Sequence, residues 1–154
     1  MKINIKVMYI NALQGEEGEC CRFSCEGELY KKADKTFLKY TEPKGNGGGR
    51  VILRAEKNVV TMNRQADAVS SFRFEKGKTH LSRYFTPYGT FLTSVTTNTL
   101  TVRLSEADGK IEMGYSLTVA DDSLSSPSVE KMENKFGISY FAIENKNKKE
   151  EKNV

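Results

Sequence analysis

The feature that most constrains the fold is the alternation of apolar and polar residues in short segments along almost the whole chain. Positions 3, 5, 7 and 9 are Ile, Ile, Val and Tyr, and positions 111–119 place Ile, Met, Tyr, Leu and Val at every second residue. Side chains of a strand point alternately to opposite faces, whereas a helix repeats every third or fourth residue. The pattern therefore predicts strands that bury one face and expose the other.

The candidate strands are short, numerous and separated by brief connections. They are the segments 3–9, 21–29, 36–42, 51–56, 59–64, 69–75, 79–85, 90–97, 99–105, 110–120 and 136–142. No connection has room for the helix of a parallel crossover, so the sheet must be antiparallel. Closure removes the exposed edges of so many strands. The sequence predicts an all-β, up-and-down closed barrel of about 8–10 strands, with a two-sheet sandwich as the alternative.

Some connecting segments carry more specific expectations. The glycine-rich stretch 44–49 predicts a flexible loop, since glycines cost too much chain entropy to belong to a ladder. Asn98 separates two threonine-rich segments and predicts a turn between two strands, and residues 129–135 have room for one helical turn. Residues 86–89 read Thr-Pro-Tyr-Gly and predict a tight bend.

The length and charge of the chain suggest one domain with a charged tail. At 154 residues the chain has the size of a single domain, which we assign to residues 1–145. Residues 146–154 hold four lysines and two glutamates and are expected to be disordered. The formal net charge is +4, of which about +2 belongs to the domain. This weak excess argues against nucleic acid as the main partner.

The sequence shows no signal for membrane insertion, secretion or metal binding. No apolar run approaches the roughly 20 residues that cross a bilayer, and the amino end begins with an alternating segment rather than an apolar signal core. We therefore expect a cytoplasmic protein without a membrane partner. Cys20, Cys21 and Cys25 suit reduced thiols, with the strand phase turning Cys21 and Cys25 inwards. Their separation of about 13 Å along a strand does not suit zinc, so we expect no metal and no cofactor.

Residues that would support catalysis are equally scarce. The single histidine, His80, lies in a strand among polar neighbours, so we expect it at the surface or the barrel rim. The glycines at 45–49 lack a Gly-Lys-Ser/Thr ending and lead into a strand, unlike a phosphate-binding loop. We predict no catalytic residues and expect binding rather than catalysis, with an enzyme as the open alternative.

Several polar side chains fall on the face that the alternation turns towards the core. Tyr40 and Glu42 continue the phase of Leu38, and Tyr115 lies between two apolar positions. Arg64 has the opposite phase to the odd-numbered residues of its segment, so it enters the barrel if those residues face outwards. A buried guanidinium needs an anionic partner, either Glu42 or a ligand carboxylate. Core tyrosines with satisfied hydroxyls and a rim carboxylate are the structural alternative.

Aromatic and basic residues interleave in the segments 72–74 and 83–85 and again at Tyr88. Proteins that bind single-stranded nucleic acid use such residues to stack bases and contact phosphates. Strand alternation produces the same pattern without that function, so nucleic acid is the least favoured partner.

A set of short motifs follows one order between positions 3 and 119. They are Gly27-Glu28-Leu29-Tyr30, Tyr40-Thr41-Glu42, Met62-Asn63-Arg64, Thr86-Pro87-Tyr88-Gly89, Thr96-Thr97, and Gly109-Lys110-Ile111 with Tyr115. In these residues the chain resembles the uncharacterised YwiB-like bacterial family. The resemblance implies a calycin-type, lipocalin-like closed barrel and supplies no reaction. One departure is Gln65-Ala66-Asp67, where such sequences often place a glycine, which affects the geometry of that turn.

Fold-level analogy sets the functional expectation. Relatives by fold include carriers of small apolar molecules, so we expect a cytosolic barrel that binds a small, anionic or amphipathic ligand in its interior. The alternatives are a protein-interaction module or homodimer, formed through a strand edge or apolar patch, and a weak single-stranded nucleic-acid binder. The candidate ligand-binding residues are Tyr40, Glu42, Arg64, Thr86, Tyr88 and Tyr115.

Overall fold

The chain folds into a closed barrel of antiparallel strands. The computed structural model describes residues 2–13, 20–121 and 129–143. The strands are β1 (Lys2–Leu13), β2 (Cys20–Lys32), β3 (Lys35–Thr41), β4 (Arg50–Glu56), β5 (Val59–Gln65), β6 (Val69–Glu75), β7 (Thr79–Thr86), β8 (Gly89–Leu104), β9 (Asp108–Asp121) and β10 (Val129–Ala142). Each strand lies beside its neighbours in sequence, and β10 pairs with β1. The predicted closed barrel is confirmed, while the predicted tail, 146–154, lies outside the described residues.

Inward-facing side chains form the core, and they are the ones that the alternation predicts. Ile5 and Val7 of β1 are fully enclosed. Tyr9 stacks on Phe23 of β2 with 4.5 Å between ring centroids and meets Phe136 of β10 edge-on at 5.2 Å. Burying one such side chain contributes about 1.5–3 kcal/mol. The Tyr9 ring thus packs against both neighbours of β1, including the strand that closes the barrel.

Strand β8 is one strand where the sequence predicted two. The segments 90–97 and 99–105 belong to the continuous strand Gly89–Leu104, and its register against β9 shifts by one residue between Thr97 and Thr99. Asn98 is therefore the extra, unpaired residue of a β-bulge. The bulge changes the phase of the strand, so Thr97 before it and Leu100 after it both face inwards.

The predicted helical turn at residues 129–135 is wrong, because these residues belong to β10. They pair in register with residues 114–120 of β9. The backbone hydrogen bonds of this ladder stabilise the extended conformation, and tertiary context of this kind overrides weak local helix propensity. Among the described residues, no helix is long and apolar enough to cross a membrane.

The glycine-rich connection between β3 and β4 is a hydrogen-bonded turn rather than the flexible loop that the sequence suggested. Lys44–Asn46 form a single 3-10 turn, and the N–H groups of Asn46 and Gly48 both donate to the carbonyl oxygen of Pro43. Gly47 and Gly48 have φ angles of +105° and +66°, which residues with side chains rarely adopt. The glycines therefore serve the geometry of an ordered turn.

Two further turns bear on the motifs of the sequence. Between β5 and β6, the Ala66 N–H donates to the carbonyl oxygen of Ala68, and no residue of this fully described turn has a positive φ. That turn therefore forms without a glycine. Between β7 and β8, the predicted bend is present, and Gly89 has a φ of +138°. Glycine suits this position because a side chain there would be strained.

The hairpin predicted from β6 and β7 is only partly paired. The single residue pair Val69–Phe85 joins these strands, whereas seven pairs join β5 to β6 and eight join β7 to β8. We call the unpaired stretch, residues 70–75 of β6 facing residues 79–84 of β7, the β6–β7 seam. The barrel is therefore closed, but one of its ladders is nearly open.

Amide protons that face the seam should exchange with solvent faster than those in the adjacent ladders, because they lack a partner strand. Hydrogen exchange followed by NMR should give protection factors that are at least about tenfold lower for seam-facing amides of β6 and β7 than for amides in the adjacent ladders. The amides of β6 that face β5 are the internal control. Equal protection on the two sides of β6 would contradict an open seam.

Candidate ligand-binding site

Arg64 and Glu42 meet at the end of the barrel where β1, β3 and β5 finish, which we call the mouth. Arg64 faces inwards near the end of β5, and Glu42 directly follows β3. Arg64 Nε lies 3.0 Å from Glu42 Oε1 and 3.1 Å from Oε2, and Nη2 lies 2.7 Å from Oε1. The Arg64 and Glu42 side chains are 25% and 10% exposed. The structure thus pairs the two residues that the strand phase turned inwards.

The turn between β3 and β4 packs against this ion pair. The Gly49 N–H donates to Glu42 Oε1 at 3.0 Å. A Cβ atom at Gly47 would lie 2.5 Å from Arg64 Nη2, and one at Gly49 would lie 2.9 Å from Glu42 Oε1. Real carbon atoms do not approach so closely, so the glycines allow the backbone to cover the pair. The ion pair and the glycine-rich turn therefore form one structural unit.

The Arg64 guanidinium keeps donors that Glu42 does not use. The hydrogen bonds that Arg64 donates to Glu42 raise the pKa of Arg64, and burial only partly opposes this shift, so the side chain stays charged. A guanidinium carries five N–H groups, and Glu42 accepts only from Nε and Nη2. No described residue accepts a hydrogen bond from Nη1. The pair thus leaves donors of a charged group available at the mouth.

Three neighbouring tyrosines of the interior, Tyr9, Tyr40 and Tyr115, have hydroxyl pKa values above the usual range. Burial raises the pKa of Tyr9 to about 12, and the nearby Asn11 side chain opposes part of this shift. Burial likewise raises the pKa values of Tyr40 and Tyr115 well above the usual range. All three hydroxyls are protonated at neutral pH, so they act as hydrogen-bond donors and not as bases.

Asn11 supplies a buried polar atom without a partner. Its Oδ1 accepts no hydrogen bond from any described residue. A buried acceptor left in this state costs about 1–3 kcal/mol, and most such atoms in proteins have a partner. Sequence reasoning placed Tyr9 on the inner face but did not single out Asn11. The signal that identifies it is the same alternation continued two residues beyond Tyr9.

Thr86 and Tyr88, two of the six candidate ligand-binding residues, do not belong to the mouth cluster. Both lie in the β7–β8 turn, where Thr86 Oγ1 donates to the Gly89 carbonyl at 2.9 Å and accepts from the Tyr88 N–H at 3.1 Å. The Tyr88 side chain is 95% exposed. A proline-containing bend turns these side chains away from the barrel. The candidate residues that do face the interior are Tyr40, Glu42, Arg64 and Tyr115.

His80 and the cysteines partly differ from expectation. His80 is the second residue of β7 and its side chain is 28% exposed, as a rim position would be, but its Nε2 is buried, lacks a hydrogen-bond partner among the described residues and lies 3.8 Å from Glu75 Oε1. Cys25 packs against the core, and burial raises the pKa of its thiol. Cys21 is exposed near the open end of β2, where its Sγ lies 3.5 Å from Asn46 Nδ2. The described residues hold no group of three or more metal-ligating side chains.

Most aromatic side chains considered for base stacking face inwards. Phe74 is buried, and Phe72 and Tyr84 are half-buried on the inner face. Phe85 and Tyr88 are exposed. Of these five aromatic rings, the structure leaves two accessible to a nucleic acid.

Large apolar side chains are clustered on the outer face of β6, β7 and β8. Val69 and Phe85 form the pair that joins β6 to β7, and Leu92 lies diagonally across from Phe85. Leu81 is 80% exposed. We call Val69, Leu81, Phe85, Tyr88 and Leu92 the outer apolar patch. Clustered apolar exposure of this kind is typical of interaction surfaces.

The fold and the mouth define a closed antiparallel barrel with an ion pair held at one end. Residues 4–130 match the family described as "Domain of unknown function (DUF1934)". Because the match covers most of the chain, the protein belongs to this family.

A relative in Bacillus subtilis shares this architecture. The chain is 23% identical to the "Uncharacterized beta-barrel protein YwiB" of Bacillus subtilis (strain 168) over 117 residues, 75% of this chain and 82% of that protein. The crystal structure of the YwiB protein from Bacillus subtilis matches with a TM-score of 0.75 and 19% identity, covering 93% of this chain and 94% of that chain. The resemblance to YwiB-like proteins predicted from the motifs is confirmed.

The raised pKa values of the interior tyrosines predict that the folded protein loses stability at high pH. Their pKa values in the folded protein exceed the value of about 10 in the unfolded chain, so only the folded state keeps these protons above that pH. For Tyr9, the stabilisation is complete below about pH 10 and disappears as the pH rises to about 12. The Tyr9→Phe variant should therefore lose stability less steeply with rising pH.

The measurement is the free energy of unfolding in denaturant between about pH 8 and 11. Tyr88→Phe is the matched control, because its side chain is almost fully exposed, and it should follow the wild type. An unchanged pH slope in Tyr9→Phe would contradict the prediction.

Proposed function

We propose that the protein is a cytoplasmic, calycin-like barrel that binds a small amphipathic anion at its mouth. The observation that carries the proposal is the charged Arg64 guanidinium, which faces inwards and has donors that Glu42 does not use. Tyr9 lies near both Arg64 and Asn11, and the buried Asn11 Oδ1 offers an acceptor. The Arg64 donors and the Asn11 acceptor therefore both lie near the Tyr9 ring.

The chemistry of the mouth indicates the class of ligand. Guanidinium groups favour carboxylates, because two parallel N–H groups match two oxygens. The Asn11 oxygen favours a ligand that also carries a hydrogen-bond donor. The stacked rings of Tyr9 and Phe23 offer apolar contact area. An aromatic carboxylate combines these properties.

Binding is supported over catalysis by the protonation states of these groups. The interior tyrosines keep their protons at neutral pH because burial raises their pKa values. Glu42 is engaged by Arg64 and by the Gly49 N–H. None of these groups is poised as a general base, which needs a free acceptor with a pKa near the operating pH.

A fluorescence titration with 2-naphthoate tests the proposal, with the neutral 2-naphthamide as the ligand control. Arg64→Met should weaken naphthoate binding by about tenfold or more, because a charge-assisted hydrogen bond is lost. Glu42→Gln should strengthen it by about threefold or more, because it removes a competing negative charge and keeps an acceptor for Gly49. Arg54→Met, on the outward phase of β4, is the matched control and should bind as the wild type does.

The opposite changes in naphthoate affinity expected for Arg64→Met and Glu42→Gln distinguish ligand binding from a purely structural ion pair. If the pair only stabilises the turn between β3 and β4, both variants will shift binding the same way or leave it unchanged. Equal affinity for 2-naphthoate and 2-naphthamide, or binding of neither by the wild type, overturns the proposal.

A second candidate function, self-association, is favoured by the outer apolar patch. Leu81 and Phe85 are 80% and 52% exposed. The β6–β7 seam runs beside them, so backbone groups that a ladder would satisfy are open to another chain. We propose that two copies of the protein associate through this patch.

Sedimentation analysis checks this candidate. Replacing both residues, Leu81→Ser and Phe85→Ser, should shift the wild-type dimer to a monomer, because the apolar contact area is lost. Ile52→Ser, an exposed apolar residue on β4, is the control and should leave the dimer intact. A wild-type protein that stays monomeric at all accessible concentrations would rule out this function.

A further inference from the structure

A groove on the outer face of the barrel is separate from the outer apolar patch and contains neither Arg64 nor Glu42, although Tyr9 and Phe23 also contribute to its lining. It crosses five neighbouring strands in the order β2, β1, β10, β9 and β8, and its volume is about 1020 Å3. A row of directly paired residues runs across it: Arg22, Ile10, Gly137, Glu112 and Thr101. We call the concavity centred on this row the outer groove.

Two glycines form the floor of the outer groove. Gly137 of β10 and Gly114 of β9 have the outward phase and carry no side chain. A Cβ atom at Gly137 would lie 3.1 Å from Ile10 Cγ2, and one at Gly114 would lie 2.8 Å from Thr99 Oγ1. The neighbouring side chains thus lean over the glycines. Ile10 and Met8 add exposed apolar surface beside them, with 39% and 40% of their areas accessible.

The charged side chains around the floor are mostly positive. Three cations, Arg22, Lys110 and Lys135, and one carboxylate, Glu112, line the groove. Lys110 forms an ion pair with Glu112. Arg22 and Lys135 are exposed and form no ion pair with a described residue. Charge complementarity therefore favours an acidic occupant.

We propose that the outer groove binds an extended acidic peptide segment of a partner protein. Strands lie about 4.8 Å apart, so five strands span about 19 Å, which about six extended residues cover at 3.3 Å each. Alternate side chains of such a peptide point to the same side. Apolar side chains at every second position then pack against the exposed surfaces of Ile10 and Met8 beside the two glycines. Acidic residues between them stay at the surface, within reach of the long side chains of Arg22 and Lys135.

Fluorescence anisotropy with labelled hexapeptides tests this inference. The probe alternates glutamate with leucine, and two control peptides replace leucine by serine or glutamate by lysine. The wild type should bind the glutamate–leucine probe about tenfold more tightly than either control. Only this peptide offers both apolar side chains to the floor and carboxylates to Arg22 and Lys135.

Charge reversal on the protein provides the matched comparison. Arg22→Glu combined with Lys135→Glu should weaken binding of the probe by about tenfold or more. Lys31→Glu combined with Lys32→Glu changes the net charge equally at the far end of β2, and should change binding by less than about threefold. Ile10→Ser, which removes the apolar contact without adding a charge beside Arg22, should weaken binding of the glutamate–leucine probe while leaving binding of the glutamate–serine peptide unchanged.

The remaining outcomes separate this inference from the proposed function and from other occupants. Arg64→Met should leave peptide binding intact, because Arg64 does not line the groove. Equal effects of the two charge-reversal pairs, no binding of the probe, or its displacement by 2-naphthoate would each overturn the inference. A dimer disrupted by Arg22→Glu with Lys135→Glu would identify a second copy as the occupant and overturn the peptide assignment.

Discussion

Closure of the barrel through β1 and β10 is the constraint on which the rest of the structure depends. Nine residue pairs join these strands, the first and last that the structure describes. A closed sheet has no free edge, so every strand residue faces either the packed interior or the outside. The period-two pattern of the sequence therefore predicts which residues face the interior and which face the outside. Arg64 enters the interior for the same reason that Val60 of the same strand does.

Polar side chains inside such a barrel need partners, and the structure meets this need unevenly. At the mouth, Glu42 satisfies part of the Arg64 guanidinium, and the glycine-rich turn covers the pair. Along β7 and β8, Ser82 and Thr93 hydroxyls lie 2.6 Å apart and satisfy each other. Asn11 Oδ1 has no such partner among the described residues. The buried Thr97 Oγ1 and His80 Nε2 also lack a partner there, so the mostly apolar interior keeps spare hydrogen-bonding capacity both at the mouth and away from it.

The β6–β7 seam shows that closure does not require every ladder to be complete. At one end of the seam the strands meet at Val69 and Phe85. At the other end, the Gly77 N–H donates to the Thr97 carbonyl at 2.8 Å, so the hairpin loop is bound to β8. The two strands are held at both ends and separate between them. The outer apolar patch lies on this least-paired side of the barrel, whereas the outer groove lies on the side with the longest ladders.

The sequence by itself determined which residues face inwards, the order of the strands and the antiparallel sheet, because alternation and short connections are local properties of the chain. It also turned Arg64 inwards on the condition that the odd-numbered residues of its segment face outwards, and it named Glu42 or a ligand carboxylate as the partner. Only the tertiary structure decided for Glu42, 22 positions away. Likewise, the bulge at Asn98 and the extension of β10 through residues 129–135 depend on pairing with β9. The outward position of Tyr88 and the β6–β7 seam depend on contacts between segments that are distant in the sequence. The local alternation of apolar and polar residues does not record such contacts.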